Sequence, residues 1–217
     1  MNKERPAAAY PRDTPGSALL SILVRNYQDG TQLVLGSGNS DEIRSHGARY
    51  DLLIAIEAPE QLPVSDSTLL LYLDPSCAPA RPQQRNAWQV RSAHKMDTVG
   101  FATWAHEVAK LLSRLVLEQG LVCVDLVDLA LVFSLGAEPY NCLLCDWQAP
   151  YCLPDALVGK TFKHGLWVIF ADSEQLDTAL FEKTGVLLDQ VMSADGMHLA
   201  AARVQTTNTA RLLFIAS

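Results

Sequence analysis

Short apolar runs and longer amphipathic stretches alternate along this 217-residue chain. The runs are rich in leucine, isoleucine and valine and are bounded by turn residues, a pattern that predicts buried strands. They cover residues 19–24, 51–57, 68–73, 141–145, 166–170, 198–204 and 212–215. The stretch T-Q-L-V-L-G-S-G-N-S is interpreted as a further strand, a glycine turn and the start of a short helix capped by Ser40.

Three stretches show the periodicity of helices. Asp97 or Thr98 is predicted to cap a long helix that ends near Gln119, before Gly120, because its apolar positions recur at i, i+3 and i+4. Residues 125–134 predict a second helix that is apolar nearly all round and is therefore expected to be buried on most sides. Ser173 is predicted to begin a third helix of about 18 residues. Residues 74–93, rich in Pro, Gln and Arg, predict a loop and a seam between two parts of the chain.

Composition narrows the class of protein. Apolar residues make up 49% of the chain, which is enough for a sizeable core. The net charge of −7 argues against nucleic acid or an anionic membrane as the main partner. No run of 18 apolar residues predicts a membrane-spanning helix, and residues 1–16 contain no secretory signal and are predicted to be a disordered lead-in. Five cysteines indicate a reducing cytoplasm, with free and mostly buried thiols.

The most apolar segment, G-L-V-C-V-D-L-V-D-L-A-L-V-F-S-L-G, contains two carboxylates, Asp125 and Asp128. Both lie at the predicted start of the second helix. One interpretation is structural, because an N-cap Asp accepts a backbone N–H bond and a first-turn Asp favours the positive end of the helix dipole. The other is functional, with the carboxylates standing at a surface loop and contacting a partner. The two interpretations are compatible.

Other candidate sites are weaker. G-S-G-N-S at 36–40 is similar to a phosphate-binding glycine loop, but Asp41 stands where the third glycine belongs, and an ordinary turn is the preferred interpretation. Cys142, Cys145, Cys152 and His164 raise the possibility of zinc, yet thiols at i and i+3 of a strand point to opposite faces, so core cysteines are preferred. No G-x-S-x-G motif supports a hydrolase, and the remaining histidines are scattered.

From about residue 18 to its end, the chain resembles the later two-thirds of the FtsZ family of bacterial cell-division tubulin homologues. G-L-V-C-V-D-L-V-D-L resembles the family's G-L-I-N-V-D-F-A-D-V loop, which follows its long central helix. Y-D-L-L-I-A-I-E-A-P and A-L-L-S-I-L-V-R-N-Y resemble two family strands, and H-G-L-W-V-I-F-A-D with A-R-L-L-F-I-A-S resembles the C-terminal domain. These segments occur in the same order as in the family, and this shared order supports the resemblance more than any single segment does.

The resemblance implies a truncated tubulin-like α/β fold. Residues 17–93 would be a reduced Rossmann-like sheet, 94–120 the central helix and 121–217 a mixed-sheet α/β domain. The family's G-G-G-T-G-[ST]-G loop has no counterpart, and the chain begins after the place where that loop belongs, so a GTP pocket is expected to be missing or a remnant. In the loop motif, Cys123 replaces the family's Asn, whereas Asp125 and Asp128 match the two acids that enter a neighbouring subunit's pocket.

The expected function is therefore a non-enzymatic, cytoplasmic regulator or capping partner of a filament-forming GTPase, acting through the loop with Cys123, Asp125 and Asp128. The expected partner is an FtsZ-type protein or a second copy of the chain, and no cofactor or metal is expected. One alternative is a structural or scaffold subunit of another assembly, in which the two aspartates are only caps. The other is an enzyme with an unrecognised pocket.

Overall fold

The computed structural model describes residues 20–36, 50–63, 68–118, 122–136, 139–206 and 209–217. The predicted N-terminal lead-in, the helix capped by Ser40 and the helix stop at Gly120 lie outside these residues. Within them, the mixed α/β class predicted from the sequence is confirmed.

Nine strands form one sheet in the described residues. They are β1 (Ser21–Asn26), β2 (Gln32–Gly36), β3 (Leu52–Ile56), β4 (Leu69–Asp74), β5 (Ala87–Ser92), β6 (Tyr140–Asp146), β7 (Phe162–Ala171), β8 (Met192–Val204) and β9 (Arg211–Ala216). The order across the sheet is β2-β1-β3-β4-β5-β6-β9-β7-β8. Strands β1, β3, β4, β5 and β6 run parallel, whereas β2 and β9 are antiparallel to their neighbours.

The prediction that residues 74–93 form a loop is wrong, because these residues contain strand β5. The many Pro, Gln and Arg residues of this stretch are typical of a loop. The alternation of apolar and polar residues in A-W-Q-V-R-S, which forms β5, was therefore overlooked. Strand β5 pairs with β6 through Val90↔Tyr140 and Ser92↔Cys142, so the hydrogen-bonded sheet continues across this point. The division into four parts stays a prediction.

Three helices pack on the sheet in the described part of the chain. They are α1 (Thr98–Leu117), α2 (Leu126–Leu135) and α3 (Thr178–Asp189). Helix α1 begins as predicted, because the Asp97 carboxylate accepts a 2.8 Å hydrogen bond from Gly100 N–H. Helix α3 starts five residues later than predicted. The Asp172 carboxylate holds a turn by accepting hydrogen bonds from Glu174 and Gln175 N–H, and Asp177 is the N-cap.

Side chains alternate between two faces of the sheet. The larger core lies on one face and joins α1 and α2 to residues such as Ile54, Val168 and Ile215. A second core lies on the opposite face, where α3 covers residues such as Trp167 and Phe214. Leu23 and Tyr72 belong to a smaller cluster on the parallel strands, on the same face of the sheet as the second core. No helix in the described residues is long and apolar enough to span a membrane.

Candidate protein-contact surface

Asp125 and Asp128 form a reciprocal capping box at the start of α2. Asp128 N–H donates to Asp125 Oδ1 at 2.8 Å, and Asp125 N–H donates to Asp128 Oδ2 at 3.0 Å. Two backbone donors that the helix leaves free are thereby satisfied, and both negative charges lie at the positive end of the helix. The structural interpretation of the pair is confirmed. The contact interpretation stays a prediction, although the exposed Asp125 side chain is accessible to a partner.

Arg203 fixes the loop that leads to the capping box. It lies on β8, is 1% exposed, and donates from one guanidinium nitrogen to the Val122 carbonyl oxygen at 2.7 Å. A second nitrogen donates to the Leu115 carbonyl oxygen at 2.5 Å, in the last turn of α1. The positive guanidinium thus interacts favourably with the negative end of the α1 helix dipole, and it links that end of the helix to the loop. Arg203 is not among the site residues predicted from the sequence, where its signal is a lone arginine in the apolar run L-A-A-A-R-V.

Helix α2 carries an exposed apolar stripe. Val127 is 75% exposed, Leu131 45% and Leu135 40%, and the four-residue spacing places these three residues, hereafter the α2 stripe, on one face. The prediction that this helix is buried on most sides is therefore wrong. Burial is restricted to the opposite face, where Leu129 and Phe133 pack into the larger core.

The α2 stripe adjoins the residues predicted for partner binding. Asp128 precedes Leu131 by three residues, so the two are neighbours on the helix surface. Cys123 is exposed in the preceding loop. Cys123, Asp125, Asp128 and the α2 stripe together are called the loop face below. An apolar stripe with two carboxylates at one end suits a partner surface that is apolar with basic groups at its margin.

The remaining cysteines do not converge. Cys142 is buried in the larger core, whereas Cys145 packs against the second core, so the predicted opposite orientation is confirmed. Burial raises the pKa of the Cys142 thiol far above its ordinary value and that of Cys145 to about 11. Cys77, Cys123 and Cys152 are exposed, which corrects the expectation of mostly buried thiols. Among the described residues, no group of three or more His, Cys, Asp or Glu has a metal-binding arrangement.

The carboxyl ends of β3 and β4 hold a polar network beside a cavity of about 550 Å³. The buried Asp74 carboxylate accepts two hydrogen bonds from the Arg81 guanidinium, at 2.6 and 2.7 Å, and one from Gln89. Arg81 also donates to the carbonyl oxygens of Ala58 and Pro59. Burial and then the Asp74 charge raise the pKa of Glu57 at the same edge.

This edge is where open α/β sheets bind ligands. The Arg81 guanidinium is already occupied by Asp74. The other charged residues that line the cavity, Glu57 and Glu60, are carboxylates. This cavity therefore offers a phosphate little. Of the glycine stretch at 36–40, only Gly36, the last residue of β2, lies within the described residues.

Comparison with known proteins defines the fold. No family model matches the chain, and no curated protein matches it. The structure is similar to that of an empty FtsZ dimer from M. jannaschii, with a TM-score of 0.55 and 12% identity over 82% of this chain and 66% of that one. It is less similar to CetZ from Methanosaeta thermophila strain DSM 6194, with a TM-score of 0.48, 12% identity and coverage of 82% and 63%.

The chain therefore has the FtsZ-like, tubulin-type fold in a shorter form, as the sequence resemblance implied. It spans less than two-thirds of the length of the FtsZ chain, and the low identity shows the fold alone.

Proposed function

We propose that this chain acts by protein–protein contact, binding an FtsZ-type, filament-forming GTPase in the cytoplasm through its loop face and regulating or capping it without catalysing a reaction. The M. jannaschii structure that it resembles is described as a dimer of FtsZ. Pairing between chains of this fold supports an FtsZ-type chain as the class of partner.

The observation that carries the proposal is the exposure of the α2 stripe next to two carboxylates. The described residues bury the opposite side of α2 thoroughly, with Leu129 and Phe133 each 1% exposed. Apolar side chains clustered on one exposed helix face are typical of interaction sites, whereas scattered ones are not. Burying Val127 and Leu131 in a partner would contribute roughly 1–3 kcal/mol each.

The loop between α1 and α2 is held in place by contacts within the chain itself, without a partner. Arg203 ties the Val122 carbonyl to the end of α1, and Val122 also bridges to Ala202 on β8. The capping box then fixes the first turn of α2. A preorganised surface loses little conformational entropy on binding, which favours affinity.

A scaffold subunit of another assembly is the alternative function. One observation favours it: the capping box by itself accounts for both aspartates, so their presence requires no GTPase partner. In that case the α2 stripe would bind a different subunit.

The test replaces the stripe without changing charge. Val127→Ser with Leu131→Ser should leave the fold intact, because both side chains are exposed and serine has a helix propensity close to that of valine and less than about 0.7 kcal/mol below that of leucine. The matched control is Val186→Ser on α3, where the valine is 65% exposed. Binding to the FtsZ-type GTPase of the same organism, and the GTPase rate of that protein, are measured for each variant.

The proposal expects the double variant to lose binding and any effect on the GTPase rate, while the control behaves like the unmodified chain. Equal binding by the double variant and the unmodified chain would remove the α2 stripe from the contact. Absence of any interaction of the unmodified chain with the GTPase would favour the scaffold alternative.

A further inference from the structure

Strand β2 forms one edge of the nine-stranded sheet, and within the described residues it has none of the features that protect such edges. Its sequence, Q-L-V-L-G, contains no charged residue and no proline. Leu33 is 54% exposed and Val34 38%. Exposed apolar edge strands pair readily with another strand, and proteins usually block them with charges, prolines, bulges or a covering segment.

The backbone of β2 is open on its outer side. Asn26 N–H donates to the Thr31 carbonyl oxygen at 3.0 Å, so these two residues form a hydrogen-bonded pair of the β1–β2 ladder. Backbone groups in an antiparallel ladder alternate in direction, so Leu33 and Leu35 also bond toward β1. The N–H and C=O groups of Gln32, Val34 and Gly36 therefore point outward, where no described residue pairs with them.

The opposite edge, β8, is protected. Its pairing with β7 is interrupted by a register shift between Phe162 and His164, and the exposed Asp195 lies 3.6 Å from the Lys163 ammonium. At the other end, Val122 bridges to Ala202, so the loop after α1 covers part of the edge. Charge, irregularity and a covering loop are the usual protections, and β2 shows none of them in the described residues.

We propose that β2 pairs with β2 of a second copy of this chain, antiparallel and centred on Val34, so that two sheets join across a two-fold axis. The register follows from the outward groups. Val34 faces Val34 of the second copy and the two exchange both N–H···O=C bonds, and Gln32 faces Gly36 of the second copy.

The side chains suit an identical partner. A two-fold axis perpendicular to the sheet places Leu33 beside Leu35 of the second copy, on the face that carries α1. There they extend the apolar wall of a groove of about 790 Å³, which Val24, Leu35 and Leu117 also line. Identical charged strands would repel one another, but β2 is uncharged, so self-pairing meets no like charges along the strand.

The contact is isologous, which closes the assembly at two copies rather than extending it into a filament. It involves neither Asp125 nor the α2 stripe, so it is independent of the proposed function. Loss of the dimer would leave partner binding through the loop face unaffected, and the two proposals can therefore fail separately.

Charge substitutions at the two-fold axis test the pairing. Val34→Lys and Val34→Glu each place two like charges opposite one another, so each variant alone should be monomeric at concentrations where the unmodified chain sediments as a dimer. An equal mixture of the two should restore a dimer containing one copy of each. Val34→Thr is the matched control, because threonine is β-branched and uncharged and should preserve the dimer.

Hydrogen exchange supplies a second readout that does not depend on a variant folding. In the unmodified chain the amides of Gln32, Val34 and Gly36 should gain protection as concentration rises, whereas those of Leu33 and Leu35 should stay protected at every concentration. A monomer at all concentrations would overturn the proposal. A dimer that persists in Val34→Lys, with exchange at Val34 independent of concentration, would also overturn it.

Discussion

At the scale of single residues, charge and hydrogen bonding at the capping box have separate consequences. Each aspartate satisfies the other residue's backbone N–H, and an amide oxygen can do the same. Replacing a carboxylate by an amide therefore removes charge while preserving the cap. Replacing it by alanine removes both.

The cap can be measured by itself at Asp125. Asp125→Ala should lower the free energy of unfolding by about 1 kcal/mol, because Asp128 N–H loses its acceptor. Asp125→Asn should change it far less, because asparagine caps about as well as aspartate. Denaturant unfolding of the two variants measures the difference. Equal losses for Asn and Ala would show that the charge, and not the hydrogen bond, stabilises the helix start.

Arg203 is the second residue whose role can be isolated. Arg203→Met should lower the free energy of unfolding by about 2 kcal/mol or more, because the buried Leu115 carbonyl and the partly buried Val122 carbonyl lose their donor. Arg203→Lys should retain part of the stability, since one ammonium replaces a two-armed guanidinium.

Hydrogen exchange at the loop separates a local from a global effect of Arg203. If the residue positions the loop, exchange near Val122 should accelerate in Arg203→Met more than in the distant strand β3. A Met variant with unchanged stability and unchanged exchange would contradict the role assigned to this arginine.

At the scale of elements, α1 is joined to β9 by an ion pair between Glu107 and Arg211. The guanidinium donates two hydrogen bonds to the carboxylate, at 2.9 and 3.0 Å. These bonds, with the charge of Arg211, hold the pKa of Glu107 below its ordinary value of 4.5, although partial burial opposes them. The stability that this pair contributes is present in full above that value.

A pH series should reveal the pair. Below pH 4.5 the Glu107 carboxylate is protonated in the unfolded chain but stays ionised in the folded chain until the pH reaches its lowered pKa. The stability that the Glu107–Arg211 pair contributes is therefore lost as the pH falls through this range. Glu107→Gln should therefore be less stable near neutrality and should lose less stability on acidification. Glu182→Gln, on the exposed side of α3, is the control. Parallel acid profiles for Glu107→Gln and the unmodified chain would contradict this account.

Elements with strong periodicity were predictable from the sequence, and irregular ones were not. Helix α1 and the buried strands can be predicted from the periodicity of apolar residues that lie close together in the sequence. Strand β5 lies in a stretch whose composition is typical of a loop, and only its pairing with β4 and β6 explains it. The exposed side of α2 was missed because the periodicity of an all-apolar helix does not show which side is buried, whereas the capping box was predictable from Asp125 and Asp128 alone.

At the scale of the whole molecule, the carboxyl edge of the parallel strands, where open α/β sheets bind ligands, holds the Asp74–Arg81 network in the described residues. The 217 residues contain no G-G-G-T-G-[ST]-G loop. Calorimetric titration of this chain with GTP should therefore show no tight binding, because a triphosphate is held by backbone N–H donors of the kind that such a loop supplies. Micromolar or tighter affinity would contradict the proposed non-enzymatic role.

The central claim is that the loop face contacts a partner as well as starting a helix. The direct measurement is binding of the double variant Asp125→Asn, Asp128→Asn to the FtsZ-type GTPase of the same organism, with the melting temperature of each protein recorded. The account predicts a melting temperature within a few degrees of the unmodified chain, since both caps are preserved, and a clear loss of binding or of the effect on the GTPase rate. A double variant that binds and regulates like the unmodified chain would contradict the claim and leave the two aspartates with a structural role only.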